Sequence, residues 1–178
     1  MSQLKVNSIV PAGGLPAGAT GGGIIQIVKN AKTDTSSSTT VNSYADLSGA
    51  NVSITPSSNS NKIFGIFSFA YGMSTYHHVA NFRICRGAST VVSDVADASG
   101  GASNFQTTTY GLRAMHDANG GGFLTLTFTD APATTSEVTY KLQYYAVQSG
   151  TYYLNRGDND SNSYGRGAST FTVMEIGA

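Results

Sequence analysis

From Ile24 onward, short runs of apolar and β-branched residues are separated by clusters of Gly, Ser, Asn, Asp and Pro, the punctuation of successive β-strands. The strongest run is Lys62-Ile63-Phe64-Gly65-Ile66-Phe67-Ser68-Phe69-Ala70-Tyr71. Apolar groups fall on both faces of its first half, which predicts a central strand. In Phe123–Thr129 a threonine stands at positions 125, 127 and 129, so one face is apolar and the other is a row of hydroxyls. Thr170–Ile176 repeats this alternation near the last residue and predicts a C-terminal strand tucked into a sheet. Further strands are expected at Ile24–Lys29, Val41–Leu47, Asn51–Thr55, Val79–Arg86, Ser89–Val95, Tyr110–His116, Val138–Val147 and Ser169–Ile176. Asp34–Thr40 reads as a turn, and Pro56–Asn61 as the segment that closes a hairpin built from 41–47 and 51–55. No window carries apolar residues at helical spacing.

Eight to ten short strands with turn chemistry between them make an all-β fold, a single antiparallel β-sandwich of jelly-roll-like type. It is expected over residues 23–178. Residues 1–22 are different. Leu4-Lys5-Val6-Asn7-Ser8-Ile9-Val10 alternates briefly and gives way to a Gly- and Pro-rich tract up to Gly22. At about 3.3 Å per residue this stretch spans on the order of 70 Å and contains nothing from which to build a core. It is read as an extended docking arm, ordered by a partner, with Leu4, Val6, Ile9, Val10 and Leu15 as its apolar contacts.

Composition narrows the function classes. Only 11% of the residues are charged, ten basic against ten acidic, and Gly, Ser, Thr and Asn supply about two residues in five. With no cluster of Lys or Arg to displace counterions, nucleic-acid binding is not expected. No stretch approaches the roughly 20 apolar residues of a membrane-spanning helix, and the start lacks the apolar core of a secretory signal. Membrane insertion is therefore not expected. A surface of small neutral polar groups tolerates close packing against copies of itself, and homotrimerisation would cover exposed strand edges, so oligomer formation is expected.

The candidate chemistry is sparse. Cys85 is the single cysteine, which rules out an intramolecular disulfide, and it reads as either a small buried residue in a strand or a free thiol. His77 and His78 are neighbours and on a strand would point to opposite faces; His116-Asp117 reads as a solvated turn. Asp158 and Asp160 have the Asp-x-Asp spacing of an oxygen-lined cation loop, but the glutamate that completes such a loop is missing, and turn chemistry accounts for the same residues. The Gly-rich stretches precede no helix and no Lys-Ser/Thr pair, and no nucleophile elbow or zinc-binding histidine pair occurs. The reading is a non-enzymatic protein with no catalytic residue, metal or cofactor. Tyrosine is the enriched aromatic, with ten copies and no Trp. Tyr144, Tyr145, Tyr152, Tyr153 and Tyr164 crowd the last third, as candidates for subunit or glycan contact.

Leu4-Lys5-Val6-Asn7-Ser8-Ile9, Gly22–Val28 leading through Lys32-Thr33-Asp34-Thr35 to Val52–Ser58, and the closing Phe171–Ile176 together resemble small fibre-like and decoration-like proteins of tailed bacteriophages, particularly those of cyanobacteria. The resemblance covers the two ends of the chain and the region after the arm; between Tyr71 and Asn162 only strand rhythm supports it. It implies a virion protein, made in the host cytoplasm and usually trimeric, held by its N-terminal segment to the major capsid or a tail protein with the β-rich body facing outward. A capsid decoration or cement protein and a short tail-fibre component both fit. The alternative is a tail-fibre module that binds a host receptor or surface glycan.

Overall fold

A computed structural model describes residues 23–74, 79–94, 110–113, 121–146, 149–160 and 165–178, with 110–113 described as backbone only. Among these residues eleven strands follow one another: β1 (Ile24–Lys32), β2 (Ser36–Ser38), β3 (Tyr44–Ile54), β4 (Lys62–Met73), β5 (Val79–Arg86), β6 (Thr90–Val91), β7 (Tyr110–Arg113), β8 (Gly121–Asp130), β9 (Val138–Ala146), β10 (Tyr152–Leu154) and β11 (Ser169–Ile176). Among the described residues there is no helix. The strands form two antiparallel sheets. One has the order β1-β11-β4-β10-β2, with β8 on the other side of β4; the second has the order β3-β9-β5-β6, with β7 also on β5. The chain is an all-β antiparallel sandwich.

β4 is central, flanked by β11 along Lys62–Ser68, by β10 along Tyr71–Met73 and by β8 along Ile63–Gly72. Its faces are cleaner than the sequence suggests. Ile63, Gly65, Phe67, Phe69 and Tyr71 are buried, whereas Phe64, Ile66, Ser68 and Ala70 are half-exposed. Rings meet across the gap between the sheets: Phe69 lies 5.0 Å from Phe82, Phe128 lies 4.9 Å from Tyr140, and Tyr144 lies 5.1 Å from Tyr152. Offset and tilted rings at these separations add quadrupole attraction to the large apolar area that they bury.

Two expectations are corrected. Residues 41–47 and 51–55 do not pair with each other; they belong largely to one strand, β3, which runs beside β9. The register breaks between Asp46 and Asn51, and Gly49 absorbs the surplus at φ 76°. The Ser-Gly punctuation is thus a bulge inside a strand, and Pro56–Asn61 carries the chain from one sheet to the other. The Asp34–Thr40 stretch is also more than a turn. Ser36–Ser38 pairs with β10, a three-residue strand that escaped the sequence reading because neither partner is long enough to alternate. β11 has the predicted bounds and lies between β1 and β4.

Candidate functional site

The outer face of the larger sheet carries an apolar corner. Along β1, Gln26, Val28, Asn30 and Lys32 turn inward or are more covered, while Ile27, Lys29 and Ala31 face out. Near its start the ladder slips: Ile24 faces Ile176, Gln26 faces Glu175, and Ile25 is the extra residue. Because a bulge breaks strict alternation, Ile24, Ile25 and Ile27 are all exposed, at 57%, 50% and 59%. The pairings Ile27–Met174, Met174–Phe64 and Phe64–Thr129 extend this strip across the sheet, with Ile66 one rung along and Ile176 at the corner. Lys62 ends the corner row and Lys29 begins the next.

Side chains seal the sandwich beside the same strand. Gln26 Nε2 donates to the Thr55 carbonyl at 2.8 Å, and Asn30 Nδ2 donates to the carbonyls of Gly49 and Asn51 at 3.2 and 2.7 Å. Amides thus bridge the inner side of β1 to β3, and the outer face of β1 is open surface.

A cleft of about 390 Å³ opens at the opposite end, between β4, the start of β8 and the segments around residues 155–157 and 165–167. Its glycines allow close approach of backbones. A Cβ at Gly72 would come within 2.3 Å of the Arg156 carbonyl oxygen, and one at Gly121 within 2.6 Å of that of Tyr71. Asn155 anchors the loop from a fully buried position at φ 67°. Its Nδ2 donates to the carbonyls of Lys32 and Asp34, both at 2.8 Å, and its Oδ1 accepts from Ser169 Oγ at 2.5 Å. Arg156 lies over the Tyr153 ring at 3.8 Å and donates to the carbonyls of Gly157 and Asp158, while Phe123, 61% exposed, stands on the rim.

The tyrosines read as contact candidates occupy other places. Tyr144, Tyr145, Tyr152 and Tyr153 are all at most 8% exposed, so their rings fill protein interior instead of offering a surface. Tyr144 faces the core, and its hydroxyl is hydrogen-bonded to Ser38 Oγ and the Thr40 carbonyl at 2.6 and 3.0 Å. Beside it, burial and then the neighbouring Tyr144 push the Tyr152 hydroxyl up to about 12. Tyr145 lies on the outer side of the smaller sheet against Tyr44, over whose ring Arg83 is stacked at 3.4 Å. Tyr153 donates to Asp158 at 2.8 Å. Tyr164 and the arm contacts Leu4, Val6, Ile9, Val10 and Leu15 lie outside the described residues, as do His77, His78, His116 and Asp117.

The two aspartates of the suspected cation loop are directed to different partners. Asp158 accepts from Tyr153, and Asp160 accepts from Arg166 Nε and Nη2 at 2.9 and 2.7 Å, a fork that lowers its pKa. Among the described residues no three His, Cys, Asp or Glu side chains come together as metal ligands. No known protein family matches the chain, and no curated protein is significantly similar to it.

The smaller sheet has its own covered polar layer, which sequence reasoning missed. Gln143 Nε2 donates to Asp46 at 2.7 Å, and its Oε1 accepts from Arg83 Nε at 2.9 Å and from the Cys85 thiol at 3.1 Å. Alternation along β9 places Gln143 on the side away from the core, yet it is only 5% exposed. Nothing in the local sequence signals that this second face is covered. Chemically, the described surface offers an apolar corner suited to adhesion and a cleft with an exposed ring at its rim.

Proposed function

We propose that this chain is a non-enzymatic structural protein of a tailed-phage particle, a homotrimeric surface accessory protein in which the N-terminal arm is the intermolecular tie. The observation that carries the reading is the exposed Ile24-Ile25-Ile27 strip, which begins one residue after Gly23, where the arm joins the body. Isolated exposed apolar residues are ordinary, but three large ones contiguous with half-exposed Met174 and Phe64 form a patch of the kind that proteins cover. The low charge of the chain removes the repulsion that would keep copies apart. Deleting residues 1–22 tests it: the body should fold, while purified particles should lose the protein. Particles that retain the truncated chain at the normal level refute the role of the arm.

A second reading, a module that binds host surface glycan, is favoured by the exposed Phe123 ring beside the Arg156 cleft, because sugar faces stack on such rings. Phe123→Ala should then abolish binding of the purified protein to host envelope polysaccharide; absence of binding by the unaltered chain disposes of this reading.

A further inference from the structure

We propose that the apolar corner formed by Ile24, Ile25, Ile27, Met174 and Phe64 is the seat for the Leu4–Val10 segment of a neighbouring copy, so that copies are joined by exchange of their arms. The inference rests on the reading of the arm as an intermolecular tie and names what it ties to.

Three observations select this occupant. The first is charge. The patch is bordered by Lys29 and Lys62, and the described outer-face positions of β1, β4, β8 and β11 carry no carboxylate. Two such faces laid against each other would oppose lysine to lysine. Residues 1–22 contain one charged side chain, Lys5, and in an extended conformation Leu4 and Val6 would fall on the opposite side from Lys5 and Asn7. An uncharged apolar edge can therefore meet the isoleucines while Lys5 stays in water.

The second is length. Pro11–Gly23 spans about 40 Å when extended, while the strip from β1 to β4 is only about 10 Å across, so the linker carries Leu4–Val10 onto another copy with slack. The third is direction. Gly177 N donates to the Gly23 carbonyl at 3.0 Å, which keeps β1 fastened to β11 beyond the bulge, up to the first described residue. With Gly23 fixed at the end of the sheet, a chain that continued in the direction of β1 would lead past the sheet and away from its own outer face. Seating the arm on its own face requires a full reversal of direction first.

The test uses the full-length chain, with oligomeric mass followed by light scattering over a dilution series. A face variant, Ile25→Thr with Ile27→Thr, keeps β-branched residues at exposed positions, so the fold should persist by circular dichroism. An arm variant carries Leu4→Asn with Val6→Asn. The unaltered chain should associate, and each variant should weaken association by about tenfold or more, the factor that accompanies loss of one or two buried apolar side chains. Mixing the variants is the discriminating step. The face variant supplies an intact arm and the arm variant an intact face, so the mixture should form two-chain complexes that neither forms alone. A mixture that stays monomeric, a face variant that associates like the unaltered chain, or an unaltered chain that is monomeric throughout overturns the inference. If the arm variant alone loses association, the arm remains the tie and only its seat is wrong; if the arm variant associates normally, the reading of the arm fails as well. Should the double face variant not fold, Ile27→Thr alone is read in the same way.

Discussion

Glu175 and Ser57 are 118 residues apart, yet one carboxylate oxygen of Glu175 accepts from both the backbone N–H and the hydroxyl of Ser57, at 2.7 and 2.8 Å. Asn61 Nδ2 donates to the same oxygen at 2.6 Å, and Gln26 Nε2 to the other at 2.6 Å. A single fully buried carboxylate thus fastens β11 to β1 and to the crossing between the sheets, directly beneath the bulge that exposes the isoleucines.

Stability should depend on the ionisation of this group. Burial by itself raises its pKa, but the hydrogen bonds from Asn61, Gln26 and Ser57 outweigh it and hold the carboxyl down to about 2, against 4.5 for the free group. The folded pKa lies below the unfolded one, so the stabilisation is complete above about pH 4.5 and is lost as pH falls toward 2. Urea midpoints measured across that window should decline for the unaltered chain and flatten for Glu175→Gln. At pH 7, Glu175→Ala should cost about 2 kcal/mol or more, because buried donors are left unpaired. Parallel pH profiles of the two proteins would count against this role.

Gly65 is a glycine in the middle of the central strand because of one ring. A Cβ there would stand 2.0 Å from Phe128 Cε1, and Phe128 in turn packs 5.7 Å from Phe67 and 4.9 Å from Tyr140. Gly65→Ala should destabilise by about 2 kcal/mol or more through overpacking, despite the higher strand preference of alanine. Thermal melting checks this. Combining it with Phe128→Leu, which vacates the space, should recover part of the loss.

Asn155 combines a left-handed backbone with three side-chain hydrogen bonds in a buried site. Asn155→Gly preserves the backbone but leaves the Lys32 and Asp34 carbonyls and Ser169 without their partner, and Asn155→Ala loses on both counts. Chemical denaturation should rank the alanine variant as least stable, with a loss of about 3 kcal/mol. Equal stability of the two would show that the backbone conformation contributes nothing.

Cys85 should be unreactive in the folded protein. Burial raises its pKa, against the attraction of Arg83 and Lys141, and its thiol donates to Gln143 Oε1. A disulfide reagent at neutral pH should modify it only after denaturant is added, at the rate of unfolding. Rapid modification of the native chain would mean that the covered layer over the smaller sheet opens readily.

Some of this was legible in the sequence, for a local reason. A strand that buries one face writes its period of two directly into the residue order, so β8 and β11 could be read from alternation, and the central position of β4 from its nearly continuous apolar run. Residue type, not alternation, marked Cys85 as buried: its parity in β5 puts it beside Gln143, on the side away from the core. What the order of residues does not encode is which face finds a second cover, or where a register slips. Tyr145 and Gln143 look like outward positions and are buried; Ile24 has the inward parity of Gln26 and Val28 and is exposed, because the surplus residue Ile25 turns the start of β1 outward. Bulges, three-residue strands such as β2 and β10, and the Glu175 and Asn155 hubs arise largely from contacts between segments about 80 to 150 residues apart. The energy of those contacts resides in pairing geometry that no short window of sequence contains, and only the folded arrangement of the two sheets decides it.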